Sequence, residues 1–147
     1  MTGELSRSGI ALVPCPESEV IEADAAITCS TWFLPTVQAM LGLVALPAGW
    51  DSRSAAPIRR RTVERALRLL AGILDTQTSP PSVVPTVLGG VQAEWHLGGL
   101  DVEIEFFPDE RAPYVLLEDL RDRSELEGDL LLTGDRLRSY MPRLRAT

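Results

Sequence analysis

The 147-residue chain contains no lysine and no asparagine, only one histidine and only two cysteines. Cys15 and Cys29 are too few for a disulfide scaffold. With His96 they cannot complete a four-ligand zinc site unless carboxylates or a second chain contribute. All 14 basic residues are arginines. Because the absence of lysine and asparagine fits a GC-rich coding sequence, the arginine preference is no evidence of phosphate recognition.

Long apolar runs are also missing from the sequence. The closest to a membrane span is residues 32–48, which Pro35, Gln38 and Pro47 interrupt, so this stretch predicts a buried helix rather than a spanning one. Carboxylates lie on both sides of the short apolar patch near the N-terminus, unlike a signal peptide. We therefore expect a cytoplasmic protein with no membrane partner.

No motif for nucleotide binding, hydrolysis or metal chemistry is present. The sequence lacks the P-loop, G-x-G-x-x-G, G-x-S-x-G, H-E-x-x-H and C-x-x-C patterns. The lone His96 would need a nucleophile within hydrogen-bond reach to act as a general base, and the sequence nominates none. We therefore predict no catalytic residue, no cofactor and no resident metal.

The length predicts a single domain over residues 1–147 of the α+β class. Residues 1–31 are weakly defined, with two apolar stretches that read as strands (residues 9–15 and 25–30) on either side of an acidic turn. One helix is expected near 35–46 and another near 134–141, the latter capped by Thr133 and ended by Pro142. The clearest helix spans 59–74, where apolar residues recur at helical spacing: Val63, Ala66, Leu67, Leu70, Ala71 and Leu74.

Residues 82–119 predict an antiparallel meander of about four strands packed on this helix. Two glycine pairs, Gly89-Gly90 and Gly98-Gly99, indicate two-residue hairpin turns between alternating runs. Pro85 confines the first strand to an edge of the sheet. A turn at Gly98-Gly99 sets a register in which six pairs face each other: Leu97 and Leu100, His96 and Asp101, Trp95 and Val102, Glu94 and Glu103, Ala93 and Ile104, Gln92 and Glu105.

This register places a set of polar residues on one face of the hairpin: Gln92, Glu94, His96, Asp101, Glu103 and Glu105. Residues 82–132 carry 12 acids and three arginines, for a net charge of −9, and a net charge of +3 lies in each of the flanking segments 59–81 and 133–147. Like charges across a ladder destabilise a sheet. The repulsion is relieved by solvent, by the chain's own arginines, by a basic partner or by a metal ion.

The loop of Trp50 and Asp51 and the arginines at 59–61 each have a structural and a functional interpretation. Trp50 and Asp51 lie between two predicted helices, where the indole is expected to staple the helix to the sheet and the carboxylate to bind turn amides. The alternative is that the Trp50 ring is a binding element. Trp95, on the apolar face of the hairpin, is grouped with them as structural. The arginines at 59–61 open a helix against its dipole, which indicates either an external anion or neighbouring carboxylates.

Residues 46 to about 107 resemble a widespread group of small bacterial proteins. The group's pattern is Leu-Pro-x-x-Trp-Asp-Gly-Tyr-Gly-Ala-x-Pro, a helix, Pro-Ser-h-x-Pro-Thr-x-x-Gly-Gly-h-Gln-h-Glu-Trp and a Glu-rich strand. The positions that carry the resemblance are Trp50, Asp51, Ala55, Pro57, Pro81, Ser82, Pro85, Thr86, Gly89, Gly90, Gln92, Glu94 and Trp95. The chain departs from the pattern at residues 52–54, where Ser-Arg-Ser replaces Gly-Tyr-Gly. If those glycines take positive φ, either the loop backbone differs in this chain or serine there bears strain.

The resemblance implies no established activity, although such proteins often occur among mobile or toxin–antitoxin-like genes. Our leading hypothesis is a non-enzymatic interaction module, of antitoxin or immunity type, that binds a basic protein through Glu94, His96, Asp101, Glu103 and Glu105. Nucleic acid is an improbable partner for so acidic a domain. Two alternatives are a metal-dependent hydrolase or nuclease that uses the same cluster without Glu105, and a structural subunit of an assembly docked through its first 45 residues.

Overall fold

A computed structural model describes residues 10–14, 20–24 and 29–146, with side chains described from residue 29 onward. The elements in chain order are β1 (Ile10–Pro14), β2 (Val20–Asp24), α1 (Phe33–Val44), α2 (Arg60–Ala71), β3 (Ser82–Pro85), β4 (Val91–Leu97), β5 (Leu100–Phe106), β6 (Tyr114–Asp119), β7 (Ser124–Asp129), α3 (Leu130–Tyr140) and a 3₁₀ turn (Met141–Leu144).

The N-terminal strands differ from the prediction. β1 and β2 form a two-stranded antiparallel sheet, and the first predicted strand is confirmed by β1. The second was placed at residues 25–30, but Cys29 and Ser30 lie in a turn and 25–28 fall outside the described residues. The strand is instead the acidic stretch Val20–Asp24, where Leu12 pairs with Glu22. Its carboxylates were mistaken for turn residues.

The predicted α+β meander is confirmed, with one strand more than expected. β3 to β7 form a five-stranded antiparallel sheet in chain order, which leaves β3 and β7 at the edges. Helices cover its inner face, where Val91, Ala93, Val102, Ile104 and Val115 are fully buried against them. Alternation along each strand turns the remaining side chains outward.

The hairpin between β4 and β5 has the predicted register at all six pairs. Gly98 and Gly99 both take positive φ, at 61° and 76°, as a two-residue turn requires. A one-residue slip would move Trp95 and Ile104, which are now buried, to the outer face. Leu97 departs from its expected burial, since this last residue of the strand is 37% exposed.

The hairpin between β3 and β4 is not the predicted two-residue turn. Pro85 pairs with Val91, which leaves a five-residue loop over residues 86–90, and the Thr86 hydroxyl accepts the Gly90 amide at 2.9 Å. A Cβ atom on Gly90 would lie only 2.3 Å from the Phe106 carbonyl oxygen. Gly90 therefore serves a close backbone approach rather than a tight turn.

The helices begin and end near the predicted residues for identifiable reasons. α1 starts two residues early because Trp32 and Phe33 are buried and pack edge to face, with ring centroids 5.5 Å apart. α2 ends at Ala71, and the chain then turns through Gly72. The predicted Thr133 cap of α3 is wrong. The helix starts at Leu130, because Asp129 at the end of β7 accepts the Leu132 amide at 3.0 Å.

The 3₁₀ turn that follows α3 is bound to the end of the sheet. Arg143 donates to both carboxylate oxygens of Asp119 and to the Gly98 carbonyl. The hydrogen bond from Arg143 lowers the pKa of the buried Asp119 carboxyl below its ordinary value. This ion pair fixes the C-terminal turn against two hairpin ends.

Candidate functional site

The outer face of the sheet is built from three rows of residues that run across the strands. The registers of β4 through β7 define them. The first row is His96, Asp101, Glu118 and Glu125; the second is Glu94, Glu103, Leu116 and Glu127; the third is Gln92, Glu105, Tyr114 and Asp129. We call these residues the outer face.

The predicted polar residues all lie on this face, and the structure adds more from β6 and β7. Apart from Asp129, whose carboxylate caps α3, the carboxylates that point outward are Glu94, Asp101, Glu103, Glu105, Glu118, Glu125 and Glu127. The sequence interpretation did not include Glu118, Glu125 or Glu127. The last two flank buried Leu126 in β7, a strand with a single large apolar residue. The only sequence signal for this strand is the short alternation of Glu125, Leu126 and Glu127.

Like charges do oppose one another on this face. Glu94 lies opposite Glu103, and Glu118 lies opposite Glu125. Within residues 29–146, the arginine–carboxylate ion pairs use other acids, namely Glu64, Asp75, Asp109, Asp119 and Asp135. No arginine ion pair therefore reaches this face over the described residues, and Arg111 interacts with Glu105 only through a longer-range electrostatic attraction.

His96 is a basic side chain on the outer face and contacts two of its carboxylates. Its Nδ1 lies 2.8 Å from an Asp101 oxygen and its Nε2 lies 3.5 Å from Glu94. The hydrogen bond with Asp101 raises the pKa of His96 above its ordinary value of 6.5, with Glu94 contributing in the same direction. Even a protonated His96 would supply a single positive charge among several carboxylates, so the face stays acidic.

Several hydrogen bonds order the outer side chains. Gln92 donates its amide to Glu94 at 2.9 Å. The Tyr114 hydroxyl donates to Glu127 at 2.6 Å, which raises the pKa of the phenol above its ordinary value of 10. The carboxylates of Glu94 and Glu127 are thus held in place on the outside of the sheet.

An open depression of about 280 Å³ lies in the first two rows. Carboxylates and His96 line it together with three leucines, of which Leu116 exposes 41% of its surface while Leu117 and Leu126 are buried. Ligand pockets usually enclose about 300–1,000 Å³ and are mostly apolar. An open acidic depression of this size suits a protruding cationic side chain better than an enclosed small molecule.

The geometry gives little support to metal chemistry. Among the residues that the structure describes, no three His, Cys, Asp or Glu side chains converge as a metal site requires. Both ring nitrogens of His96 face carboxylates. In the described part of the chain, His96 hydrogen bonds to Asp101 and to no hydroxyl or thiol that would act as a nucleophile.

The loop of Trp50 and Asp51 has the contacts expected of a structural element. The Trp50 indole N–H donates to the Ala56 carbonyl at 3.2 Å. Asp51 accepts the amides of Arg53 and Ala55 at 2.9 and 3.1 Å. Ser52 takes a φ of 66°, in the left-handed region that favours glycine, which fits the second of the two alternatives, a serine under strain. The staple role itself stays a prediction.

Trp95 and the arginines at 59–61 have separate surroundings. Trp95 is 3% exposed and donates its indole N–H to the Ser79 carbonyl at 2.8 Å. Arg59 occupies the N-cap of α2 without a side-chain cap, and Arg60 pairs with Glu64 at 3.2 Å. Glu64 thus neutralises one of the three arginines, as the interpretation with neighbouring carboxylates requires.

The two loops that carry the sequence resemblance meet in space. The Ala56 amide donates to the Val87 carbonyl at 2.9 Å, and a Cβ on Gly89 would lie 3.3 Å from the Pro57 carbonyl oxygen. The pattern's two separated motifs therefore form one structural junction, at the end of the sheet opposite Gly98-Gly99.

Comparisons with known proteins yield no relative. No protein-family model matches the chain. No curated protein and no solved structure matches it either. Over the described residues, no helix combines the length and apolar character needed to cross a bilayer. The resemblance seen in the sequence therefore stays a prediction, and function has to be argued from the site.

Proposed function

We propose that this protein is a non-enzymatic interaction module whose outer face binds a basic protein partner. The observation that carries the proposal is the set of carboxylates on one side of the sheet that form no ion pair with an arginine. Within residues 29–146, no arginine ion pair reaches the outward carboxylates, although like charges face each other across two ladders. A basic partner would relieve that repulsion.

Such a face favours rapid and salt-sensitive association. Complementary potentials steer diffusional encounter and raise the association rate, and salt screens the attraction. The exposed side chains of Leu116 and Tyr114 lie among the carboxylates and provide apolar area that a charge pair alone lacks. An antitoxin or immunity protein that covers a basic surface on its target would need both features.

The test is affinity capture from native lysate at low salt with three proteins. Wild type is compared with Glu103→Gln/Glu118→Gln, which removes two outer-face charges. The matched control, Glu110→Gln/Asp135→Asn, removes two exposed acids elsewhere on the surface. We expect a basic protein to be recovered by wild type and control and depleted with the outer-face variant. Recovery of no such protein, or equal recovery by all three, would contradict the proposal.

A metal-dependent hydrolase is the weaker candidate, because no three ligating side chains converge in the described residues. Thermal-shift titration with Mg²⁺, Mn²⁺ and Zn²⁺ tests it directly. A role as a structural subunit would require the first 45 residues for assembly, and light scattering of the chain without them would decide that point.

A further inference from the structure

The strand β7 has an open edge. It is the last strand of the five-stranded sheet, and among the described residues only β6 pairs with it. An edge strand presents a row of unpaired backbone groups that can bind another extended chain.

The hydrogen-bond pattern identifies the backbone groups that point outward. The Leu130 amide donates to the Pro113 carbonyl at 2.8 Å, one step beyond the pair of Tyr114 and Asp129. Hydrogen-bonded and non-hydrogen-bonded pairs alternate in an antiparallel ladder. Leu126 and Gly128 therefore bond with β6, while the N–H and C=O groups of two other residues, Glu125 and Glu127, face the open edge.

Those outward backbone groups have no partner in the described part of the chain. Over the described residues, no backbone–backbone hydrogen bond joins Glu125 or Glu127 to a residue outside the sheet. Both side chains are exposed on the outer face, whereas Leu126 between them is 4% exposed. Leu131 and Leu132, which follow β7 directly, are 86% and 80% exposed.

The charges along the edge select the kind of strand that can bind. A second copy pairing edge to edge would bring its own Glu125 and Glu127 against these carboxylates, and like charges in adjacent strands repel. Arginine or lysine opposite each glutamate would instead form cross-strand ion pairs. Side chains on one face of a strand recur every two residues, so the favoured partner has alternating basic residues.

We propose that the open edge of β7 accepts an extended peptide segment carrying arginine or lysine at every second position. The segment adds a sixth strand to the sheet, with its basic side chains on the outer face and its end near Leu131 and Leu132. This inference rests on the proposed function, because it states how a basic partner engages the acidic face.

Selective N-methylation of a probe peptide tests the inference. The probe is a capped seven-residue peptide of alternating arginine and threonine. In an antiparallel arrangement, arginines of the probe would lie directly opposite Glu125 and Glu127. Each of these arginines would exchange both backbone hydrogen bonds with the glutamate opposite it. One derivative is N-methylated on two central arginines and the other on two threonines, so the charge and the number of methyl groups are equal.

Titration calorimetry and amide hydrogen exchange on the full chain provide the readouts. We expect arginine methylation to weaken binding roughly tenfold or more through lost backbone hydrogen bonds, and threonine methylation to leave it nearly unchanged. The unmodified peptide should slow exchange at the Glu125 and Glu127 amides. Equal binding of both derivatives without protection would overturn strand addition and leave the acidic-face proposal standing. Failure of all three peptides to bind at low salt would contradict both.

Discussion

The two faces of the five-stranded sheet differ in their contacts with the rest of the chain. On the inner face, Ala93, Val102 and Ile104 are fully buried beneath the helices. On the outer face, glutamates oppose glutamates, and no arginine ion pair reaches them within the described residues. Neighbouring residues in one strand thus serve different ends. The inner set stabilises the fold, whereas the like charges of the outer set are expected to cost stability.

The largest expected contrast is between adjacent residues of β5. Ile104→Ala should reduce the free energy of unfolding by about 2–5 kcal/mol, because it leaves a cavity at a fully buried site. Glu103→Ala should change it by less than about 0.5 kcal/mol, as surface substitutions usually do, because this half-buried side chain lies on the outer face. Urea denaturation followed by circular dichroism measures both. Equal losses would contradict the division into two faces.

The next largest effect is expected at Trp50, a residue outside the sheet that should also stabilise the fold. Trp50 is partly buried and bonds to the Ala56 carbonyl, so Trp50→Ala should cost about 1–3 kcal/mol. Trp50→Phe keeps most of the ring and should lose only about 1 kcal/mol for the hydrogen bond. Thermal unfolding of the two variants provides the comparison. An unchanged melting temperature in Trp50→Ala would assign the ring to binding instead.

A smaller effect of opposite sign is expected on the outer face. Glu103→Gln removes the like charge opposite Glu94 and should stabilise the protein by about 0.2–1 kcal/mol. The gain should shrink as salt screens the repulsion. Chemical denaturation at low and high salt measures it. A loss of stability at low salt would show that this carboxylate already has a favourable partner.

The smallest effect concerns His96, whose pKa is raised above 6.5 mainly by Asp101. Its stabilising contribution is fully present below the unfolded-state pKa near 6.5 and is lost as the pH rises through the higher folded-state pKa. Since the ring is solvent-exposed, the contribution should be at most about 0.5 kcal/mol.

The stability difference between wild type and His96→Gln should therefore decrease from pH 6 towards pH 9. Urea unfolding curves at both values provide the measurement. A difference that grows with pH would mean that the neutral ring is the form the face prefers.

The sequence predicts the centre of the sheet better than its borders. Alternation across Gly98-Gly99 determines the β4–β5 register, because a slip of one residue would expose Trp95 and Ile104. β7 escaped prediction because Leu126 is its only large apolar residue. The loop at 86–90 was not predicted either, because glycine is required at position 90 by the close approach of the Phe106 carbonyl, which lies in another strand.

The candidate site was predictable in part for the same reason. Glu94, His96, Asp101, Glu103 and Glu105 follow from the hairpin register alone. The pairing of arginines depends on tertiary structure. Arg143 reaches Asp119 across 24 positions, and Arg65 donates to three loop carbonyls, those of Asp109, Glu110 and Arg111. Which carboxylates remain without arginine could therefore be seen only in the folded chain.

Calorimetric titration of an arginine-rich peptide into wild type, Glu103→Gln/Glu118→Gln and Glu110→Gln/Asp135→Asn tests the central claim most directly. We predict that only the first double variant binds more weakly, by roughly tenfold, with the difference fading as salt rises from about 50 mM to about 300 mM. The same variant should be at least as stable as wild type. Equal affinity for all three proteins at low salt would contradict the outer face as the binding surface.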